Sequence, residues 1–220
     1  MHFKPLSRTV TGSALVLAFA LSSCGSSNPA TSSSSTSAST TSQASTSKSS
    51  AAVPTHPQLH TPAGGNLKTT IKVSSPAISA DLALDRNSTC DGADTSPAIT
   101  WSNLPANTTQ IAIFVITAGS VQGQLGQLGV NWGVANLDAS TNGIPAGKPP
   151  AGAVVGVNSE GKRRYSVCPA KGQTGNFAVL VYALKHRISL KPGFDASTAR
   201  EQVAGQALAG GVLVSHYQRH

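Results

Sequence analysis

The sequence predicts a mostly β domain, a sandwich or a related sheet arrangement, over residues 61–220. Three observations carry that expectation. Residues 111–116 form a continuous apolar run rich in β-branched side chains, and 177–184 form a second, the pattern of strands buried on both faces. Shorter apolar segments recur between Gly, Pro and Asn turn signals. Helical spacing is confined to one stretch near the C-terminus.

Taken in order, Ile71-Lys72-Val73 reads as a short strand cut off at Ser75-Pro76, and 78–84 as a second extended piece. Thr89-Cys90-Asp91-Gly92-Ala93-Asp94 is a loop: glycine tolerates positive φ and aspartate bonds its own backbone. Ser96-Pro97 enforces an extended approach to the strand 99–102, in which Ile99 and Trp101 alternate with polar residues. Leu104-Pro105-Ala106-Asn107 is a turn before the run 111–116. Residues 119–129 read as a Gly/Gln loop without period, followed by a strand over 130–137 and a turn at Asn142-Gly143 and Pro145. Val154, Val155 and Val157 precede a polar loop, 158–164, and the run 177–184 follows. Thr198-Ala199-Arg200-Glu201 has the form of a capping box, with Val203, Ala207 and Leu208 at helical spacing behind it. Gly210-Gly211 is expected to stop that helix, and Val212-Leu213-Val214 to open a last strand ending near Tyr217.

Residues 1–24 read as an export signal. Lys4 and Arg8 precede an apolar run, 10–21, too short for the ~20 residues that span a bilayer. It ends at Leu21-Ser22-Ser23-Cys24, the form of a lipobox, so Cys24 is the expected lipidation site and the membrane the expected partner through that anchor. The expected location is the cell membrane, facing the extracytoplasmic side. Residues 25–60 are dominated by Ser and Thr and read as a disordered tether with a reach of roughly 35 Å.

The formal charge of +8 falls to +6 once Lys4 and Arg8 are removed. It is not clustered as in a nucleic-acid binder; only Lys162-Arg163-Arg164 forms a run, of the kind a solvated loop carries. Aromatic residues are scattered, so a stacking platform for nucleic acid is not expected either. With Cys24 assigned to lipid, an oxidising setting favours a Cys90–Cys168 bridge over two free buried thiols. No His or Cys stands beside either one at ligand spacing, so no metal is expected.

The residues now quoted resemble the bacterial branch of the phosphatidylethanolamine-binding protein family, the Raf-kinase-inhibitor-like proteins. The similarity runs from about Leu67 to Tyr217. It includes Ser75-Pro76-Ala77, the Thr89 to Trp101 segment, Asn131-Trp132-Gly133-Val134-Ala135-Asn136, Ile144-Pro145-Ala146-Gly147, Tyr165-Ser166-Val167-Cys168-Pro169 and Tyr182-Ala183-Leu184. The resemblance implies an antiparallel β-sandwich with one or two short C-terminal helices and a small pocket for an anionic group such as phosphate, phosphoethanolamine or acetate. The family lines that pocket with an Asp-Pro-Asp loop, a histidine opening the next strand and a His-Arg-Tyr segment. Here Ile116-Thr117-Ala118-Gly119 stands at the acidic loop, Asn131 at the histidine, and Gly175-Asn176-Phe177 at His-Arg-Tyr. Trp132, the Cys168-Pro169 loop and the Cys90–Ser96 loop remain. A phosphate needs charge-assisted donors, and a neutral lining is expected to hold it poorly, the fold being kept as a scaffold, or to take a different, neutral or more apolar ligand; retained phospholipid-headgroup or phosphate binding is the alternative.

A catalytic role is not expected. Gly156-Val157-Asn158-Ser159-Glu160-Gly161 is misspaced for a nucleophile elbow. None of the six histidines falls among the pocket positions; His186 and His216 are expected at exposed strand ends. No cofactor is expected. A protein partner or pairing into a homodimer remains open, because nothing in the sequence marks the surface.

Overall fold

The computed structural model describes residues 67–121 and 124–220. The expected signal peptide, Cys24 and the tether lie outside the described residues. Among those described, the order is β1 (Lys72–Ser74), a 3-10 turn (Arg86–Ser88), β2 (Ile99–Ser102), β3 (Gln110–Val121), β4 (Gln124–Asp138), β5 (Gly143–Ile144), β6 (Val154–Val155), β7 (Thr174–Leu184), α1 (Ala196–Gln206) and β8 (Ala207–Gln218). Two antiparallel sheets form, a three-stranded one in the order β1-β2-β5 and a five-stranded one in the order β6-β4-β3-β7-β8. The β-sandwich expectation holds.

The central strands show why the apolar runs lack alternation. Ile111, Ile113 and Val115 of β3 enter the core between the sheets, with Ile99, Trp101, Val134 and Val181. Their neighbours Ala112, Phe114 and Ile116 point to the opposite face, with Leu180, Tyr182, and Ala196, Ala199 and Val203 of α1. Successive strand side chains face opposite ways, so a strand covered by a sheet on one side and a helix on the other must be apolar throughout.

The structure corrects the reading at five places. Residues 119–129 are not a loop: β3 and β4 continue as a hairpin, with Gly119 opposite Gly126 and Val121 opposite Gln124. Backbone pairing needs no side-chain period, so the Gly/Gln composition conceals it. Segment 78–84 is a turn closed by an Ile78–Leu84 bridge, with Leu82 at φ 68°.

The helix starts earlier than the capping box suggested, because Asp195 is its cap: the Asp195 carboxylate accepts from Thr198 N at 2.7 Å. It also ends earlier. Ala207 and Leu208 already belong to β8, and Gly210-Gly211 lie inside that strand. A Cβ on Gly211 would come within 2.6 Å of the Ile71 carbonyl oxygen, so the glycine admits the N-terminal segment across β8. That crossing pairs Ile71 N with Gly210 O and, further along, Leu84 N with His216 O, which covers much of the β8 edge. His186 is exposed, as expected, but His216 is half-buried within β8.

Candidate functional site

Most of the residues expected to line the pocket meet at one end of the five-stranded sheet. Thr117 stands opposite Phe177 in the β3–β7 register. Val115 pairs with Trp132 and Ile116 with Val130, so Asn131 is the extra residue of a β-bulge. A bulge of this kind re-aims a side chain that regular pairing would send elsewhere. Thr117 Oγ1 donates to Asn131 Oδ1 at 2.9 Å, and Asn131 Nδ2 donates to the Ser166 carbonyl at 2.9 Å. Ser166 N returns a bond to the Asn131 carbonyl at 3.1 Å. The amide that stands where a histidine was expected is thus engaged at both its oxygen and its nitrogen.

The other lining positions are apolar and closely packed. Phe177 and Trp132 are buried in the inter-sheet core. A Cβ on Gly175 would lie 2.7 Å from Phe177 Cζ and 2.9 Å from Pro169 Cγ, so the phenyl ring and the proline close over the glycine. Gly119 is not among the group, since it pairs two residues further out in the β3–β4 hairpin. Cys168 is committed to a disulfide with Cys90, their Cα atoms 5.2 Å apart, which answers the alternative of two free thiols.

The loops around this end are stitched together by groups that composition did not single out. Asp94 accepts from Arg164 Nη1 at 3.1 Å and from Val167 N at 3.3 Å. Tyr165 OH donates to Ser88 O at 2.8 Å. Burial, reinforced by the Asp94 charge, pushes the Tyr165 phenol well above its ordinary value, so it remains a donor. Asn158 is buried; its Oδ1 accepts from Glu160 N and Lys162 N, and its Nδ2 donates to Arg164 O and Asn131 O. It is the residue that ties the polar loop 158–164 to the bulge. The available signal was an Asn followed closely by Glu-Gly, an Asx-turn pattern, within a stretch read only as a polar loop. Glu160 is held below its ordinary value mainly by the Lys162 hydrogen bond, against burial and with help from Ser166.

Beside Trp132 the loops border an open cavity of about 250 Å3, lined among others by Trp132, Tyr165, Val155, Pro149, Asp94 and Arg163. Thr117, Asn131 and Phe177 do not line it. A second cavity, of about 460 Å3, lies around Gln110, Asn136, Asp138 and Arg187. Its polar groups are mutually bonded: Gln110 Nε2 to Asn136 Oδ1 at 3.0 Å, and Arg187 to Asp138 at 3.0 Å.

Chemically, the Thr117–Asn131–Phe177 end is built of neutral side chains, with charged groups at its border: Ser166 Oγ donates to Glu160 at 3.1 Å and Arg219 Nη1 donates to the Pro169 carbonyl at 3.1 Å. It offers no nucleophile–base pair, and Ser159, inside the misspaced Gly-rich stretch, uses its Oγ to accept from Val130 N. Among the described residues no group of three His, Cys, Asp or Glu could hold a metal ion, and no helix is long and apolar enough to cross a membrane.

The phosphatidylethanolamine-binding protein family model matches residues 74–218. A protein of Methanothermobacter thermautotrophicus, named only as a UPF0098 protein, is 28% identical over 137 residues, covering 60% of this chain and 87% of that one. LppC of Mycobacterium tuberculosis, named as a lipoprotein, is 27% identical over 150 residues, covering 67% of this chain and 72% of its own. The crystal structure of Escherichia coli YbcL superposes with a TM-score of 0.61 at 24% identity, over 69% of this chain and all of that one, which is agreement in fold. With the sandwich, the matched segment and these relatives in agreement, the chain belongs to the phosphatidylethanolamine-binding protein family.

Proposed function

We propose that the protein is a membrane-anchored, non-catalytic binding module of the cell envelope, displayed on the extracytoplasmic side, in which the anion pocket inherited from the family is closed. One observation carries the reading: Thr117, Asn131 and the Ser166 carbonyl satisfy one another, so the residues standing at the anion-binding positions form a neutral, self-paired network. Inserting a phosphate there would break those bonds and desolvate a dianion with no cation among these residues to balance it. The packing of Phe177 and Pro169 over Gly175 supports the same conclusion. The anchor is supported by the lipobox at Cys24 and by the naming of the Mycobacterium tuberculosis relative as a lipoprotein.

Two measurements test the reading. Labelling with radioactive fatty acid is expected to mark the chain, and Cys24→Ser to abolish the label and release the protein from the membrane fraction. An unlabelled wild-type chain would refute the anchor. Generic ester and phosphate substrates are expected to show no turnover; turnover lost on substituting Asn131 would refute the non-catalytic role.

A further inference from the structure

From the cavity beside Trp132 we infer a binding site for a small organic monocarboxylate, with the Arg163 guanidinium as its counter-charge. The inference rests on the reading of the protein as a binding module; the cavity shares Trp132 and the 94–96 loop with the remaining family lining but none of Thr117, Asn131 and Phe177. Of the three consecutive cations in the loop, two are already matched. Lys162 pairs with Glu160 at 2.9 Å, and Arg164 with Asp94 at 3.1 Å. Arg163 borders the cavity and has no carboxylate partner among the described residues.

The remaining walls define the ligand. Trp132 and Tyr165 meet edge to face, with ring centroids 5.8 Å apart, and with Val155 and Pro149 they give an apolar floor and side. At about 250 Å3 the space suits a few carbon atoms or one small ring, below the ~300 Å3 at which drug-sized ligands begin to fit. The charges at the rim are Arg163, Arg164 and Asp94, so one positive charge is left uncompensated. That balances a monoanion. A phosphate dianion would exceed it. The planar guanidinium fork matches a carboxylate in a bidentate fashion.

The chain has two tryptophans, which allows a site-resolved test. Full chain in detergent micelles, labelled with 15N-tryptophan, is titrated with sodium benzoate, sodium butyrate, butyramide and inorganic phosphate. The two carboxylates are expected to shift the Trp132 indole resonance saturably. The Trp101 resonance, whose Nε1 donates to Thr141 O at 3.0 Å, is expected to stay fixed. Butyramide and phosphate are expected to leave both unchanged. Arg163→Ala, at an exposed position, is expected to weaken benzoate binding about tenfold, as loss of a charge-assisted pair would, with Arg163→Lys intermediate. The site is refuted if neither carboxylate moves Trp132, or if Arg163→Ala titrates like wild type; phosphate acting as strongly as benzoate would refute the monoanion assignment. Turnover of esters would instead count against the non-catalytic role and leave this binding result standing.

Discussion

Asn131 occupies the position where charge would matter most to an anion, and both ends of its amide are used within the protein. Replacing it with alanine leaves the Thr117 hydroxyl without its acceptor and is expected to cost about 1–3 kcal/mol, read as a lower denaturant midpoint. Asn131→Asp makes a sharper test. A carboxylate can still accept from Thr117, but its other oxygen then faces the Ser166 carbonyl. The folded state therefore favours the protonated acid, which donates as the amide does. The variant is expected to be destabilised at neutral pH and to regain stability, relative to wild type, as pH falls through the carboxylate range. A destabilisation independent of pH would contradict the network. Little of this could be read from sequence. The residue identities at 117, 131 and 177 were visible and so was their neutrality, but a bulge is a property of two strands in register, and the Ser166 carbonyl carries no side-chain signal.

At the scale of elements, β3 and β7 were legible because two-sided burial leaves a composition few other structures require. Ile113→Ala, in the inter-sheet core, is expected to cost about 2–5 kcal/mol by cavity formation. The β3–β4 hairpin and the boundaries of α1 were not legible, for different reasons. The hairpin is held by backbone pairs through Gly and Gln, and α1 runs into β8 with no break, so Gly210-Gly211 misleads. Those glycines answer to the crossing segment at Ile71 instead. Asp195 as cap has a measurable consequence. Bonds from Thr198 hold its carboxyl below the ordinary value of 3.8 against slight burial. A depressed folded value means that its stabilisation is complete above 3.8 and is lost as pH falls through the lower folded value. Asp195→Ala is expected to cost about 1 kcal/mol at neutral pH, and the difference from wild type is expected to vanish in acid. A gap that persists in acid would mean the cap acts otherwise.

Across the whole molecule, the Cys90–Cys168 bridge joins loops 78 residues apart and closes the end of the sandwich where the candidate site lies. In the chain-entropy account such a closure is worth about 4.5 kcal/mol at most, so reduction is expected to lower the unfolding free energy by no more than that. The C-terminus is drawn to the same loop: Tyr217 OH and Arg219 Nε reach the Asp91 carboxylate at 3.0 and 3.1 Å, and Arg219 Nη1 reaches Pro169 O. In the proposed reading, these covalent and ionic fastenings surround a pocket whose lining at Thr117, Asn131 and Phe177 is neutral. That claim is tested most directly by titrating the 15N-labelled Cys24→Ser chain with phosphoethanolamine and inorganic phosphate while following backbone amide resonances. The account predicts that Thr117, Asn131 and Phe177 stay in place at millimolar ligand. Saturable shifts clustered on those three residues would contradict it and mark a retained headgroup pocket.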